Sequence, residues 1–215
     1  MLSLIPSFGA RAAPRLLFIG AHCDDIEIGC GGTVLELLER YPRSIVDWVV
    51  LSSDTARSAE AKRAARLFLR RCKEPRVTIQ KFRNSFFPMV ATEIKEFFEA
   101  LKREVSPDLV FTHFRDDLHQ DHKIVGELTW NTFRDHLILE YEIPKYDGGL
   151  GSPNVFVPLR PKNAARKVQI LMKVFGSQRS KRWFTPDTFE GLMRLRGIEC
   201  NAESAEAYYA RKITF

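Results

Sequence analysis

Residues 21–33 read AHCDDIEIGCGGT, and residues 112–122 read THFRDDLHQDH. In the first stretch His22 and Asp25 lie three residues apart, so one tight turn can aim an imidazole nitrogen and a carboxylate at one point. In the second, His119 and His122 have the same spacing at what reads as a helix start. Two nitrogens and one carboxylate suit zinc, and three protein ligands plus water is the arrangement of a catalytic rather than a structural zinc site. Asp24 is then free to sit beside that water. Each residue alone has a plainer role: a loop histidine is an ordinary polar residue, Asp121 can cap a helix, and GGT can be a closely packed helix start. Two acid–histidine clusters, each directly after an apolar run, favour the chemical reading.

The elements that must position these residues follow from the apolar pattern. RLLFIGA (15–21), IVDWVVLSS (45–53), VTIQKF (77–82), DLVFTH (108–113) and LILEYEI (137–143) read as strands. Helical spacing covers 32–41, 57–72, 92–105, a segment from Asp121 to about residue 136, 162–175 and 186–196. This order predicts a single Rossmann-like, three-layer α/β domain with a mostly parallel sheet and helices on both faces. Ligands in such a sheet gather beyond the carboxyl ends of the strands, where both loops fall. Residues 144–163, rich in Pro, Gly and Asn, read as a long surface excursion. Residues 1–13 read as a flexible tail before a domain spanning 14–215. No positive charge precedes the tail's apolar stretch and Pro6 interrupts it, which argues against a cleaved signal.

Composition narrows the functional classes. The chain has 215 residues, 45% hydrophobic and 28% charged, enough for one buried core. Cys23, Cys30, Cys72 and Cys200 are scattered and form no CxxC pair, so a reducing, cytoplasmic setting is expected. No run approaches the roughly 18 apolar residues of a membrane span. The formal net charge is +6, with basic residues clustered at 62–76 and 179–182. They are either solvated helix faces or a field that attracts an anionic substrate such as a phosphate-bearing sugar. No nucleic-acid-binding module is recognisable. Acids occupy the turn after the first strand and no GxGxxG follows it, which argues against a nucleotide-binding Rossmann protein such as a methyltransferase.

AHCDD followed by GCGGT, with HQDH downstream, resembles the LmbE/PIG-L family of zinc-dependent sugar de-N-acetylases. That family carries AHPDD after its first strand and HxDH later. Arg57 and Glu60 match an Arg-x-x-Glu often found between them. PDLVFTHFRDDLHQDH resembles the stretch around the second motif, and SAEAYY (204–209) resembles a C-terminal Ala-Glu-aromatic signature. The likeness therefore runs from about residue 15 to 210. Cys23 stands where proline is usual, which keeps the ligand spacing. Ile26 stands where Glu is common, which leaves the role of Glu27 open.

The resemblance implies that His22, Asp25 and His122 hold Zn2+, a ligand set that Fe2+ or Mn2+ could also use. Asp24 would be the general base, His119 would polarise the carbonyl or stabilise the oxyanion, and Asp121 would fix a histidine's orientation. The substrate would be an N-acetylglucosamine-type sugar conjugate, phosphorylated if the basic balance is a guide, giving acetate and an amino sugar. A non-catalytic sugar-binding relative is the alternative, although every residue needed for metal and base is present. The oligomeric state is left open. Arg57, Glu60, His113, Arg115 and Asp116 are expected near the site. Gln178 and Arg179 are further candidates for substrate contact, and Trp183 and Phe184 for a sugar wall. His136, at the expected end of a helix, reads as a surface histidine. Cys23 reads as a small buried substitute for proline, since a thiolate ligand would close the position water needs.

Overall fold

The computed structural model describes residues 13–213. The tail expected at 1–13 lies outside these, apart from Ala13. Five parallel strands form the body of the sheet: β1 (Arg15–Gly20), β2 (Ile45–Val50), β3 (Glu74–Ile79), β4 (Leu109–His113) and β5 (Leu137–Tyr141). Two short strands extend it, β6 (Val155–Pro158) and β7 (Ala205–Tyr209), giving the order β3-β2-β1-β4-β5-β7-β6. β7 runs antiparallel to both neighbours. The fold is the expected α/β domain with a mostly parallel sheet.

Successive residues of a strand point to opposite faces, and both faces of this sheet are covered, so the central strands are apolar throughout. Leu16, Phe18, Val46, Trp48 and Val50 pack on one side with α1 (Asp25–Arg40), α2 (Thr55–Phe68), α5 (Pro161–Val174) and α6 (Pro186–Glu199). Leu17, Ile19, Val49 and Val110 pack on the other with α3 (Ala91–Glu104) and α4 (Gln120–Thr132). No helix among the described residues is long and apolar enough to cross a membrane.

Several boundaries depart from expectation. β3 begins at Glu74 because it is an exposed edge strand in register with β2, Glu74 against Ile45 through Ile79 against Val50. Its pairing, not an apolar signal, sets its extent. β6 lies inside the segment expected to be an excursion, and β7 carries a buried glutamate that masks its strand character. α4 stops at Thr132, so His136 ends no helix. It lies in the turn before β5, beside Asp135 (3.0 Å).

α1 starts at Asp25, earlier than residue 32, but it breaks at Cys30 (φ −142°, ψ 16°). The break frees the amides that follow, and Glu206 of β7 takes them. Its carboxylate accepts from the N–H groups of Gly32 (2.8 Å) and Thr33 (2.6 Å) and from Lys167 Nζ (2.6 Å). A carboxylate on the exposed amides of a helix start satisfies donors and favours the dipole. The helix also passes very close to β5: a Cβ at Gly29 would lie 2.2 Å from the Tyr141 ring. Glu206→Ala removes the acceptor and leaves Lys167 buried without its acid, so it should cost about 3–5 kcal/mol. That loss should appear as a lower denaturant midpoint at unchanged slope. A midpoint equal to the parent's would show that the carboxylate does not hold α1.

Candidate active site

β1 and β4 are adjacent and parallel, with Leu16 against Leu109 through Phe18 against Phe111. The strand order reverses at this pair, so the loops leaving it meet at the sheet's carboxyl edge. The first loop closes on itself, as the His22 amide donates to Asp25 Oδ2 (2.6 Å). This turn brings His22 Nδ1 to 3.3 Å from Asp25 Oδ2. From the second loop, His122 Nε2 lies 3.2 Å from His22 Nδ1 and 3.5 Å from Asp25 Oδ1. All three side chains are buried.

These spacings test whether a metal fits. A tetrahedral site with bonds of about 2.0–2.1 Å has ligand–ligand edges of roughly 3.3–3.4 Å; the His22–His122 edge is close to this, while Asp25 meets His22 through Oδ2 and His122 through Oδ1. The far nitrogens of both rings are held by acids. His22 Nε2 pairs with Asp121 Oδ2 (3.2 Å), and His122 Nδ1 with Asp117 Oδ2 (3.1 Å). Carboxylates on the outer nitrogens are what metal-binding histidines usually have. Two other donor sets converge, His22–His119–His122 and Asp25–His113–His122. His119 Nδ1 already accepts from the Asp121 amide (3.2 Å), and His113 Nε2 lies 3.0 Å from the Ala21 amide nitrogen. Asp25 Oδ2 likewise accepts the His22 amide, so backbone bonding does not separate the sets. His22, Asp25 and His122 are the expected donors, and the fold brings them together.

Burial disfavours an imidazolium at His22, but Asp25, Asp121 and Asp24 outweigh it and raise its pKa to about 9. A site that concentrates this much negative charge on a histidine pair is suited to a cation. His113 behaves oppositely. It is fully buried, stacks on His122 (3.9 Å between ring centres) and lies 3.0 Å from Asp25 Oδ2. Burial, then the neighbouring His122, pulls its pKa down to about 4, so it is a neutral prop beneath Asp25.

Asp24 sits beside the cluster, almost completely buried, with Oδ1 accepting from Arg57 Nη2 (2.9 Å). Burial and then the Asp25 charge raise its pKa, while Arg57, His22 and Lys181 restrain the rise. His119 is half-buried. Because its Nδ1 accepts from the Asp121 amide, a neutral ring carries its proton on Nε2. Burial, then His122 and His22, lowers its pKa, so the neutral donor form is the relevant one.

Other expected residues fall elsewhere. Asp121 does not cap α4; its carboxylate accepts from the Ser85 (2.7 Å) and Phe87 (3.2 Å) amides, and His119 caps the helix instead. Glu60 leaves Arg57 and accepts from the Ser177 amide (2.9 Å). Arg115 turns from the cluster to Glu140 (2.8 Å) and Trp130, and Asp116 is exposed. Phe184 is core, Trp183 packs against that core, Gln178 is buried against Ser177, and Arg179 bonds the Met172 carbonyl. Cys23 points into the core, where Sγ donates to the Ser52 carbonyl (3.3 Å) and burial pushes its thiol up to about 12. Glu27 is fully buried with neither carboxylate oxygen bonded to protein, and burial raises its pKa well above the usual range.

The comparisons with known proteins give the family and the fold. A family model described as PIG-L, GlcNAc-PI de-N-acetylase, matches residues 17–133, more than half of the chain. The chain belongs to the PIG-L family. No curated protein sequence matches it significantly. Among solved structures, it is similar to the N,N'-diacetylchitobiose deacetylase of Pyrococcus horikoshii, at 18% identity and a TM-score of 0.64, over 92% of this chain and 84% of that one. It is similar to the zinc-inhibited form of teicoplanin deacetylase Orf2, at 15% identity and a TM-score of 0.71, over 91% and 97%. It is also similar to GalB, the 4-carboxy-2-hydroxymuconate hydratase of Pseudomonas putida KT2440, at 16% identity and a TM-score of 0.74, over 94% and 98%. At these identities the likeness is one of fold, and a hydratase among the neighbours shows that the fold does not choose the reaction.

Two residues of this PIG-L site escape motif reading. Asp117 accepts from the His119 amide (2.7 Å), from His122 Nδ1 and from Lys145 Nζ (2.9 Å). Asp117 stands five residues before His122, a loop spacing with no regular-element meaning, and Lys145 comes from the excursion. Asp117→Asn should keep the fold and weaken Zn2+ or Co2+ binding about 10–100-fold, measured by competition with a chelator. Unchanged affinity would show that His122 needs no such support.

Proposed function

We propose that the chain is a zinc-dependent hydrolase that removes the N-acetyl group from an N-acetylglucosamine-type sugar or sugar conjugate, giving acetate and an amino sugar. The observation that carries this reading is the combination at one sheet edge: three converging metal donors with Asp24 and His119 beside them. Membership of a de-N-acetylase family and the deacetylases among the structural neighbours support it. His22, Asp25 and His122 would hold the ion, and Fe2+ or Mn2+ suits the same donors. When bound, the metal lowers the pKa of water and polarises the amide carbonyl.

The chain's own residues supply the rest. Asp24 accepts the proton released as water attacks the carbonyl carbon. Its raised pKa brings it closer to the working pH, as suits a base that must then give the proton up. The C–N bond breaks and Asp24 returns that proton to the departing amine. His119 donates from Nε2–H to the carbonyl oxygen as negative charge builds there. Arg57 keeps Asp24 ionised before the proton arrives. We assign the chain to the cytoplasm, which its four free cysteines support.

Asp24→Asn should retain zinc yet lose about 10²–10⁴-fold of acetate release, whereas His122→Ala should lose both. Full activity in Asp24→Asn would sink the base assignment. His119→Ala should lower kcat about 10²–10³-fold, with zinc content by elemental analysis unchanged. Removing the Arg57 charge destabilises the Asp24 carboxylate, so its pKa rises further. Arg57→Gln should accordingly shift the acidic limb of the kcat/KM–pH profile to higher pH; a limb that stays put or moves down would contradict the pairing.

A further inference from the structure

Within the buried cluster His119 is half-buried, while His22, Asp24, Asp25, Asp117 and His122 are buried. The cluster therefore meets solvent beside His119. Leu118, the residue just before it, is 64% exposed. The segment after β5 is drawn to this side by Lys145, whose ammonium bonds Asp117 Oδ2 (2.9 Å) and the Gly148 carbonyl (3.4 Å). It then turns through Gly148 and Gly149, both at positive φ (74° and 87°), where glycine carries no strain. A Cβ at Gly149 would lie 3.3 Å from Leu118 Cγ, so the turn rests against that side chain.

The residues flanking the turn are apolar and open. Tyr146 and Leu150 are 71% and 47% exposed, and the Tyr146 hydroxyl accepts from the Arg182 amide (3.2 Å), which holds the ring in place. Eight large apolar side chains are exposed among the described residues, and three of them fall on these two adjoining segments. Exposed apolar side chains gathered at one place mark a surface that an apolar group covers. Here that place adjoins the opening of the chemical cluster.

The proposed reaction decides which part of a substrate reaches it. The carbon attacked by water carries an oxygen, a nitrogen and an acyl chain. His119 donates to the oxygen, and Asp24 returns a proton to the nitrogen. The sugar, bound through nitrogen, therefore lies on the Asp24 side, and the acyl chain on the His119 side. An acetyl group ends there in one methyl. A chain longer by a few methylenes runs out over Leu118.

We infer that Leu118, Tyr146 and Leu150 form an acyl subsite, which extends the substrate class to amino sugars carrying N-acyl groups longer than acetyl. Water adds to the acyl carbon and the C–N bond breaks. The products are the carboxylic acid of the same length and the free amine. Hydrolysis of these substrates rests on the de-N-acetylase reading; the affinity of the surface for an alkyl chain does not.

The test compares glucosamine bearing N-acetyl, N-butanoyl and N-hexanoyl groups on the zinc-loaded full chain. A methylene taken fully out of water is worth about fourfold in affinity. On this half-open surface kcat/KM should rise about tenfold from acetyl to hexanoyl. In the double variant Leu118→Ser, Leu150→Ser, at two exposed positions, the hexanoyl-to-acetyl ratio should fall about tenfold. A ratio equal in parent and variant, or a parent kcat/KM that falls with each added methylene, overturns the subsite. Calorimetric titration with sodium hexanoate and sodium acetate reads the surface without turnover. Hexanoate should bind about tenfold more tightly than acetate, and the variant should lose that margin; equal affinities overturn the subsite. Sedimentation with phosphatidylcholine vesicles that the variant loses, with no effect of chain length, also overturns it, in favour of a membrane-facing surface. If the parent releases acid from none of the three sugars, the de-N-acetylase reading fails, and the hexanoate titration still decides the surface.

Discussion

The site depends on one buried carboxylate. Asp25 Oδ2 accepts the His22 amide at 2.6 Å and lies 3.0 Å from His113 Nε2, while Oδ1 faces His122. It therefore ties the loop after β1 to the end of β4 and the start of α4. Burial alone would neutralise it, but the imidazoles of His122, His113 and His22 hold its pKa well below the usual carboxylate range. A buried charge is stable only when it is paired and hydrogen-bonded on most sides. That requirement fixes both loops at once, which a set of exposed acids and histidines would not do.

The polar groups around Asp25 extend this wiring outward. Asp121 joins His22 to the loop before α3 through the Ser85 and Phe87 amides. Asp117 joins His122 to Lys145 in the segment after β5. Glu206 of β7 holds the second half of α1, whose first turn carries Asp25. The antiparallel strands at the far side of the sheet are thus more than an edge extension. They anchor the helix that begins at the chemical centre.

This distribution explains what could be read in the sequence and what could not. The parallel body of the sheet was legible because β1, β2 and β4 are buried on both faces and read as apolar runs. The members of the buried cluster were legible because His22 and Asp25, and His119 and His122, each sit three residues apart within a single turn. Asp117, Lys145, Ser85, Phe87 and Glu206 were not assigned these roles because their partners lie across the fold, at separations carrying no local period. His119, and not Asp121, caps α4, while Asp121 turns to His22. Both types can cap, and the demand of His22 for an acid decided which one did. Arg57 and Glu60 matched one motif yet serve different neighbours, because i and i+3 share a helix face without sharing a long side chain's destination.

Asp24 and Asp25 show how position, more than residue type, divides the chemical labour. They are adjacent, both buried and both acidic, so sequence alone gives them equal claims to metal or proton. Three imidazoles surround Asp25 and keep it ionised, the state a ligand needs. Asp24 has one guanidinium and the repulsion of Asp25, and its pKa moves the other way. Neighbouring carboxyls driven apart in this manner mark separate ligand and proton-transfer roles. The turn that aims Asp25 at the histidines leaves Asp24 facing Arg57 on α2. The same backbone geometry that brings Asp25 to the histidines therefore also leaves Asp24 free for the proton transfer proposed for it.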